Sequence, residues 1–295
     1  MEKLRRTMLF VPGGNERFLT KGVGLAVDAL ILDLEDSVTP DNKPSAREAV
    51  AEALREADFG DRERVARINS LMTEYGQSDI AVVAQGRPDA ILVPKVNGPE
   101  DVVAYDALVG EAETRESLPA GSIGLMAMIE TPQGIVNIES IALASPRMKA
   151  LVFGAADYTR ETRGKISPGR IELYYPMTRI LLAARVAGID AIDTPYFDIK
   201  DAEGLERHAQ QARDLGYDGK TIIHPSQIDI VNRIFTPSRE EVAYARRVIE
   251  AFEEAKGEGR GVTQLDGQMI ENVHVDMAQR VLRIAQKAGL SDVPP

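Results

Sequence analysis

Acidic residues are concentrated where one short apolar segment of the chain ends. The run Ala29-Leu30-Ile31-Leu32 leads directly into Asp33, Glu35 and Asp36. An apolar run of this length is typical of a buried strand, and a buried carboxylate is costly unless it is paired, hydrogen-bonded or bound to a metal. The sequence therefore predicts a site at the end of this strand that needs negative charge.

Polar residues end other apolar runs as well, among them Glu130 and Asp157 on two separate predicted strands. Two such carboxylates suit Mg²⁺, which takes one or two of them and keeps room for waters and substrate oxygens. The alternative is that these acids are solvated strand ends or pair with cations to hold loops. The polar strand-end residues are Gly13, Asn15, Asp33, Glu35, Asp36, Arg67, Asn69, Lys95, Glu130, Asp157, Asp193, Thr194 and His224.

Other metal and phosphate sites have weaker support. Zinc is disfavoured because His208, His224 and His274 are the only histidines and lack ligand spacing. His208 is predicted to be solvated on a surface helix, and His224 either stabilises a turn or takes part in catalysis. The Gly13-Gly14-Asn15 segment either presents amides to a phosphate or forms a plain turn.

The elements that position these residues alternate between strands and helices. Strands buried on both faces read as continuous apolar runs, and alternation with helices predicts a parallel sheet. Eight such units predict a (β/α)8 TIM barrel with its site at the carboxyl ends of the strands; a doubly wound sheet is the alternative. The predicted strands are 7–12, 29–35, 64–69, 90–95, 123–130, 150–157, 191–196 and 220–225, and the predicted helices are 16–27, 44–57, 75–86, 99–109, 134–144, 170–187 and 201–215.

The pattern changes after the eighth strand. Ser238 begins a capping-box sequence for a helix to about Lys256, residues 257–261 are glycine-rich, and an Asp266-Gly267 turn precedes a helix over 272–287. We expect a barrel over 1–236 and a C-terminal helical extension over 237–295 that serves as a lid or an oligomer arm.

Composition limits the function further. The chain has 295 residues, 44% of them hydrophobic, a formal charge of −11 and no cysteine. The acidic balance argues against nucleic-acid binding, and the absence of cysteine excludes disulfides and a thiol nucleophile. We find neither a signal-peptide pattern nor a membrane-length apolar run, so a cytoplasmic location is expected.

The strand-end motifs resemble those of the citrate lyase β-subunit-like enzymes, which belong to the HpcH/HpaI aldolase/citrate lyase superfamily and include malyl-CoA and citramalyl-CoA lyases. The resemblance covers nearly the whole chain, and its tail segment 265–271 is similar to the family's lid motif. The matching segments are Arg6-Thr7-Met8-Leu9-Phe10-Val11-Pro12-Gly13, Asp33-Leu34-Glu35-Asp36-Ser37-Val38, Arg67-Ile68-Asn69, Pro94-Lys95, Ile129-Glu130-Thr131-Pro132, Gly154-Ala155-Ala156-Asp157-Tyr158 and Ile223-His224-Pro225-Ser226-Gln227.

The resemblance implies Mg²⁺ held by Glu130 and Asp157, with Arg67 contacting the substrate. It also implies coenzyme A along the strand-one loop and the end of strand eight, and trimers or hexamers in which each lid covers the neighbouring site. Related lyases carry an aspartate acid or base in the lid where this chain has Glu271, and Asp266 is the second candidate. The expected substrate-binding residues are Arg6, Gly13, Asn15, Arg17, Arg67, Lys95, Ala155, Ala156, His224 and Pro225, with Glu35 and Asp36 assisting catalysis.

The resulting expectation is a lyase that splits a 3-hydroxyacyl-CoA into a 2-oxo acid and acetyl-CoA, or forms it from them. Three alternatives remain. The chain could be a lyase subunit acting on a carrier-bound thioester, or a non-catalytic barrel scaffold. It could also be a metal-dependent pyruvate aldolase; that related group has a histidine at the position of Asp36.

Overall fold

The computed structural model describes residues 3–15, 17, 19 and 22–290. The chain divides into two compact units. One is Arg5–Asn232, and the other contains the described residues of 3–4 and 233–290.

The first unit is a closed barrel of eight parallel strands, which confirms the predicted (β/α)8 TIM barrel. Each strand pairs with its neighbours in sequence, and β8 pairs with β1 to close the ring. The strands are β1 (Thr7–Pro12), β2 (Ala29–Asp33), β3 (Glu63–Arg67), β4 (Ala90–Val93), β5 (Gly124–Ile129), β6 (Met148–Phe153), β7 (Asp190–Asp193) and β8 (Gly219–Ile222).

Helices surround this barrel and connect its strands. The prediction over 134–144 was too simple, because two short helices stand there and meet at Asn137. The helices of the unit are Lys43–Glu56, Gly76–Val83, Pro99–Arg115, Pro132–Val136, Ile138–Ala142, Ala155–Thr162, Tyr174–Ala187, Ala202–Leu215 and Ile228–Phe235. The helix predicted over 16–27 falls partly outside the described residues.

The barrel interior is filled by side chains that alternate along the strands. Ile31, Val65 and Met128 belong to one fully or nearly fully buried apolar cluster. Residues two apart on a strand share a face, so the next inward positions after these three are Asp33, Arg67 and Glu130. The apolar core thus continues into charged side chains at the carboxyl end of the barrel.

Seven of the eight predicted strands extended too far at the mouth, by one residue for β5, two for β2, β3 and β4, three for β7 and β8, and four for β6. Strand six was expected to run to Asp157, but β6 ends at Phe153 and a helix begins at Ala155. Asp157 therefore lies in the first turn of a helix.

The helix Ile228–Phe235 was not predicted, because the motif identified at the end of strand eight stops at Gln227.

The second unit is built from two helices and a hairpin. The helices are Arg239–Gly257 and Asn272–Lys287, and the strands Thr263–Leu265 and Gln268–Ile270 pair antiparallel. Ser238 caps the first helix by accepting a hydrogen bond from the amide of Glu241. Phe252, Ile270 and Val275 help to form a separate buried apolar cluster.

Within the described part of the chain, none of the helices has the length and apolar character that crossing a membrane would require.

Candidate active site

An ion pair between neighbouring strands stands at the centre of the barrel mouth. Arg67 ends β3 and Asp33 ends β2, and the two are register partners. The guanidinium of Arg67 donates from Nε to Asp33 Oδ1 at 2.6 Å and from Nη2 to Asp33 Oδ2 at 2.7 Å. Such bidentate pairs fix both position and orientation. Although burial acts to raise it, the pKa of Asp33 is lowered because Arg67 compensates the carboxylate.

The third nitrogen of Arg67 faces further acids. Nη1 lies 2.9 Å from Glu35 Oε2 and 3.5 Å from Asp36 Oδ2. The contact with Glu35 is an ion pair without hydrogen-bond geometry, since Glu35 Oε2 is buried and has no hydrogen-bond partner. The guanidinium also lies over the ring of Phe10, 4.8 Å from its centroid.

The loop after β2 is held by buried polar contacts. Asp33 accepts the backbone amides of Glu35 and Ser37 at 2.9 and 3.2 Å. The ammonium of Lys43 donates to the carbonyls of Leu34 and Glu35 at 2.9 and 3.0 Å. These contacts orient Glu35 inward while leaving Asp36 exposed.

Lys95 connects this loop to the fifth strand. Its backbone is left-handed, with φ +53°, a conformation that non-glycine residues adopt only occasionally. Its Nζ donates to Glu35 Oε1 at 2.7 Å, and its amide donates to Glu130 Oε1 at 2.8 Å. Burial nevertheless raises the pKa of Glu35, since Arg67 and Lys95 only partly offset it.

Glu130 is 2% exposed and stands one residue beyond β5. Burial, followed by the nearby charge of Glu35, raises the pKa of Glu130 to about 7. The adjacent backbone of Gly154 leaves no space for a side chain, because a Cβ there would lie 2.5 Å from Glu130 Cβ. Asp157, which is half-buried, pairs with Arg160 at 2.7 Å.

Asp33, Asp36, Arg67, Glu130 and Asp157 border one cavity of about 340 Å³, which Glu35 and Lys95 do not line. Its polar lining includes Arg67, Glu130 and Asp157, and its apolar lining includes Phe10 and Phe197. A cavity of this size suits a small acid or one end of a longer ligand.

The residues present fit a hard divalent cation. Glu130 is an acid whose pKa is raised by burial and by the nearby Glu35, and Glu35 Oε2 is a buried oxygen without a hydrogen-bond donor. Among the described residues no group of three histidine, cysteine or acidic side chains could hold a metal by itself. A cation bound here would therefore need oxygens from water or substrate besides Glu130 and Asp157, which is the usual state of Mg²⁺.

Several residues predicted to bind substrate have other partners in the structure. Arg6 precedes β1 and pairs with Asp28 at 2.8 Å, at the amino end of the barrel and away from the mouth. The amide of Gly13 donates to the carbonyl of Asp33 at 2.8 Å, so it is not available to a phosphate.

The amide of Ala155 donates to the hydroxyl of Thr194 at 3.2 Å, which leaves the exposed Ala156 as the candidate of that pair. His224 accepts the amide of Ser226 at 3.1 Å, which is the turn-stabilising alternative. Asn15, Arg17 and Pro225 are exposed.

The histidine predicted to be solvated is instead buried. His208 is 6% exposed and packs edge-on against the ring of Tyr196, with 4.7 Å between the centroids. Burial lowers the pKa of His208 to about 4, so the ring is neutral at pH 7. The helix Ala202–Leu215 turns this position inward.

Sequence reasoning missed two groups that shape the site. Lys43 was not singled out, although a lysine ten residues after the end of β2 can reach back to the loop that follows the strand. Asn69 was noted only as a strand end. It donates to the carbonyl of Leu34 at 3.0 Å and to Asp79 at 2.6 Å, which braces the loop after β2 from the neighbouring strand.

The chain is similar to known proteins in sequence and in fold. The model of the HpcH/HpaI aldolase/citrate lyase family matches residues 6–225, and the model of a C–C bond lyase of the TIM-barrel fold matches residues 172–290. The chain is 42% identical over 281 residues to a (3S)-malyl-CoA thioesterase of Cereibacter sphaeroides, covering 95% of this chain and 94% of that protein.

It is also 40% identical over 291 residues to the citrate lyase subunit beta of Leuconostoc mesenteroides subsp. cremoris, covering 99% of this chain and 96% of that protein. Among solved structures, protein CitE of Mycobacterium tuberculosis in complex with magnesium, acetoacetate and coenzyme A is 30% identical. It has a TM-score of 0.79 and covers 98% of this chain and 100% of that one.

The raised pKa of Glu130 predicts a pH-dependent penalty on folding. Between its ordinary pKa of 4.5 and about 7, the folded state binds more protons at this group than the unfolded state. Its contribution therefore becomes less favourable as pH rises through that window, by on the order of 3 kcal/mol. Glu130→Gln keeps an oxygen for the Lys95 amide and carries no charge. We expect it to match the wild type near pH 4.5 and to exceed its stability above pH 7.

Urea unfolding in EDTA at several pH values would measure this difference. Glu111→Gln, at an exposed position on the helix Pro99–Arg115, is the matched control and should show no such gain. A constant difference between wild type and Glu130→Gln across pH would contradict the assignment.

Proposed function

The chain belongs to the HpcH/HpaI aldolase/citrate lyase family, and from this premise we propose that it is a magnesium-dependent carbon–carbon lyase. Its substrate is a 3-hydroxyacyl-CoA such as malyl-, citramalyl- or citryl-CoA, which it cleaves to a 2-oxo acid and acetyl-CoA or forms from them. The observation that carries the proposal is that Glu130, Asp157 and Arg67 border one cavity at the barrel mouth.

In this proposal Glu130 and Asp157 hold the cation, and the 2-oxo acid supplies its carboxylate and keto oxygens. When bound, Mg²⁺ supplies Lewis-acid polarisation of the keto group. The magnesium and coenzyme A in the CitE structure support this assignment by similarity. Glu35 carries no proton-transfer role here; its contacts orient Lys95 and Arg67.

Arg67 stabilises the enolate oxygen of the acetyl thioester in this scheme. Its Nε and Nη2 are locked on Asp33, so its cationic charge is held at the cavity before substrate arrives. Preorganised charge of this kind favours the state in which negative charge develops. The amide of Ala155 is held by Thr194, so the Ala156 amide in the first turn of the helix Ala155–Thr162 binds the substrate carboxylate in this scheme, as helix N-termini do for anions.

Glu271 supplies the acid or base at the acetyl carbon. It is exposed, and its backbone amide donates to the Nδ1 of His274 at 3.1 Å as the helix Asn272–Lys287 begins. Asp266, the second candidate, is the left-handed turn residue of the hairpin and pairs with Arg247 at 2.5 Å. That pairing favours Glu271.

The decisive experiment is a mass-spectrometric assay with acetyl-CoA and a panel of 2-oxo acids, in Mg²⁺ or EDTA. We expect a hydroxyacyl-CoA adduct, or a free hydroxy acid with CoA, only when metal is present. The released CoA separates condensation from subsequent hydrolysis, a distinction raised by the similarity to a malyl-CoA thioesterase. Cleavage of free 4-hydroxy-2-oxo acids instead would identify a pyruvate aldolase.

A second candidate is a lyase subunit that acts on a thioester borne by a partner's prosthetic group, favoured by the 40% identity to a citrate lyase subunit beta. The same assay tests it when a carrier-bound acyl group replaces acetyl-CoA. Activity with the carrier form alone would select this candidate, and the absence of both activities and of Mg²⁺ binding would leave the scaffold alternative.

Substitution of Glu271 should separate proton transfer from metal binding. Glu271→Gln keeps the size of the side chain and removes its acid–base function, so we expect turnover to fall by 10²- to 10⁴-fold while Mg²⁺ affinity stays within twofold. Glu258→Gln, another exposed glutamate of the same unit, is the control. Wild-type turnover in Glu271→Gln would remove Glu271 from the mechanism.

We further propose a homo-oligomer, a trimer or hexamer, in which the C-terminal unit of one subunit completes the site of the next. Val273 and Met277 support this, because they are 54% and 64% exposed and lie one turn apart on the helix Asn272–Lys287, so they form a short apolar stripe. Such a stripe is typical of an interface.

Mixing two inactive variants would test the shared site. Subunits carrying Glu130→Gln and subunits carrying Glu271→Gln should regain activity together if each site draws on two chains. Sedimentation should show dissociation of Met277→Glu but not of Gln279→Glu, a control on the same helix. A monomeric wild type, or a mixture without activity, would refute the arrangement.

A further inference from the structure

Three charged side chains are excluded from solvent around the end of β7 and the start of β8, and the mechanism does not use them. Asp193 accepts two hydrogen bonds from Arg170 Nη1 at 3.0 and 2.9 Å and one from Lys220 Nζ at 2.6 Å. All three side chains are 0% exposed. Because a buried ion pair gains little stability over apolar packing, this cluster calls for a role beyond stability.

Lys220 of this cluster and the neighbouring Thr221 donate hydrogen bonds to backbone carbonyls at the end of β7. Lys220 Nζ donates to the carbonyl of Thr194, and the hydroxyl of Thr221 donates to the carbonyl of Asp193 at 2.9 Å. The β7–β8 register ends at the pair Asp193 and Lys220. Thr194, the next residue, is therefore held by the Lys220 side chain where the ladder stops.

Thr194 passes this constraint to the helix that carries Asp157. Thr194 is 3% exposed, and its hydroxyl accepts a hydrogen bond from the amide of Ala155, the first residue of that helix. On the opposite side, Gly154 donates to the carbonyl of Ile129 at 3.0 Å. The helix start is thus tied both to β5, which precedes Glu130, and to β7.

We propose that Thr194, held by Lys220, is a positioning residue that sets the start of the helix Ala155–Thr162 and with it the place of Asp157 relative to Glu130. The inference rests on the proposed function only where it concerns metal binding. Its geometric part, the fixing of the helix start, stands independently.

Thr194→Val tests this inference because valine keeps the shape and removes the hydroxyl that accepts the Ala155 amide. We expect hydrogen exchange at residues 155–158 of the metal-free protein to accelerate by tenfold or more. Titration with MgCl₂ alone should show an affinity about tenfold weaker, the size of effect seen when a partner of a metal ligand is lost. Thr194→Ser should restore both.

Thr7→Val is the matched control. Thr7 is equally buried, at the amino end of β1, and its hydroxyl accepts the amide of Asp28 at 3.2 Å. It should change neither the exchange at 155–158 nor the Mg²⁺ affinity, even if it lowers the melting temperature. Lys220→Met should show the same changes as Thr194→Val.

The outcomes separate this inference from the proposed function. Unchanged exchange in Thr194→Val, or equal acceleration in Thr7→Val, would overturn the positioning role. Faster exchange in Thr194→Val with a wild type that binds no Mg²⁺ would support the positioning of the helix and reject the metal site. Faster exchange with weakened Mg²⁺ binding supports both.

Discussion

The apolar core of the barrel ends in charged side chains that are buried from water, so neighbouring groups must compensate their charge. The pairing of Arg67 with Asp33 meets this constraint. Removing either partner would leave an uncompensated buried charge, which is strongly destabilising. The pair also begins a sequence of contacts. Asp33 holds the amide of Glu35, Glu35 holds the ammonium of Lys95, and the amide of Lys95 holds Glu130. The position of Glu130 after β5 thus depends on contacts that begin at the end of β2, three strands away.

This sequence of contacts leaves negative charge uncompensated at its far end. Burial raises the pKa of both Glu35 and Glu130, although cations neighbour the first. A fold selected for stability alone would replace such acids, whereas functional sites retain groups that violate packing rules. The conflict is resolved if a cation completes the charge balance, which is why the acids are better explained by binding than by loop anchoring.

Most of the architecture was accessible from the sequence because strands buried on both faces leave continuous apolar runs. The strand ends then identified Arg67, Glu130 and Asp157 as neighbours of one mouth. Local conformation was less accessible. The start of a helix at Ala155 lacks a side-chain cap, so it resembled a longer strand. The left-handed backbone of Lys95, a conformation that glycine favours and lysine rarely adopts, is set by tertiary contacts that no local pattern records.

The remaining errors have a related physical origin. That a residue lies next to a predicted strand does not show at which end of the barrel, or on which face of the strand, its side chain lies. Arg6 belongs to the first strand motif but precedes the strand and pairs at the amino end. Asp193 ends β7, yet it follows the inward-facing Ile192 and so faces outward, where Arg170 and Lys220 enclose it. Alternation within each strand therefore separates the acids that border the cavity from the acid that braces its rim.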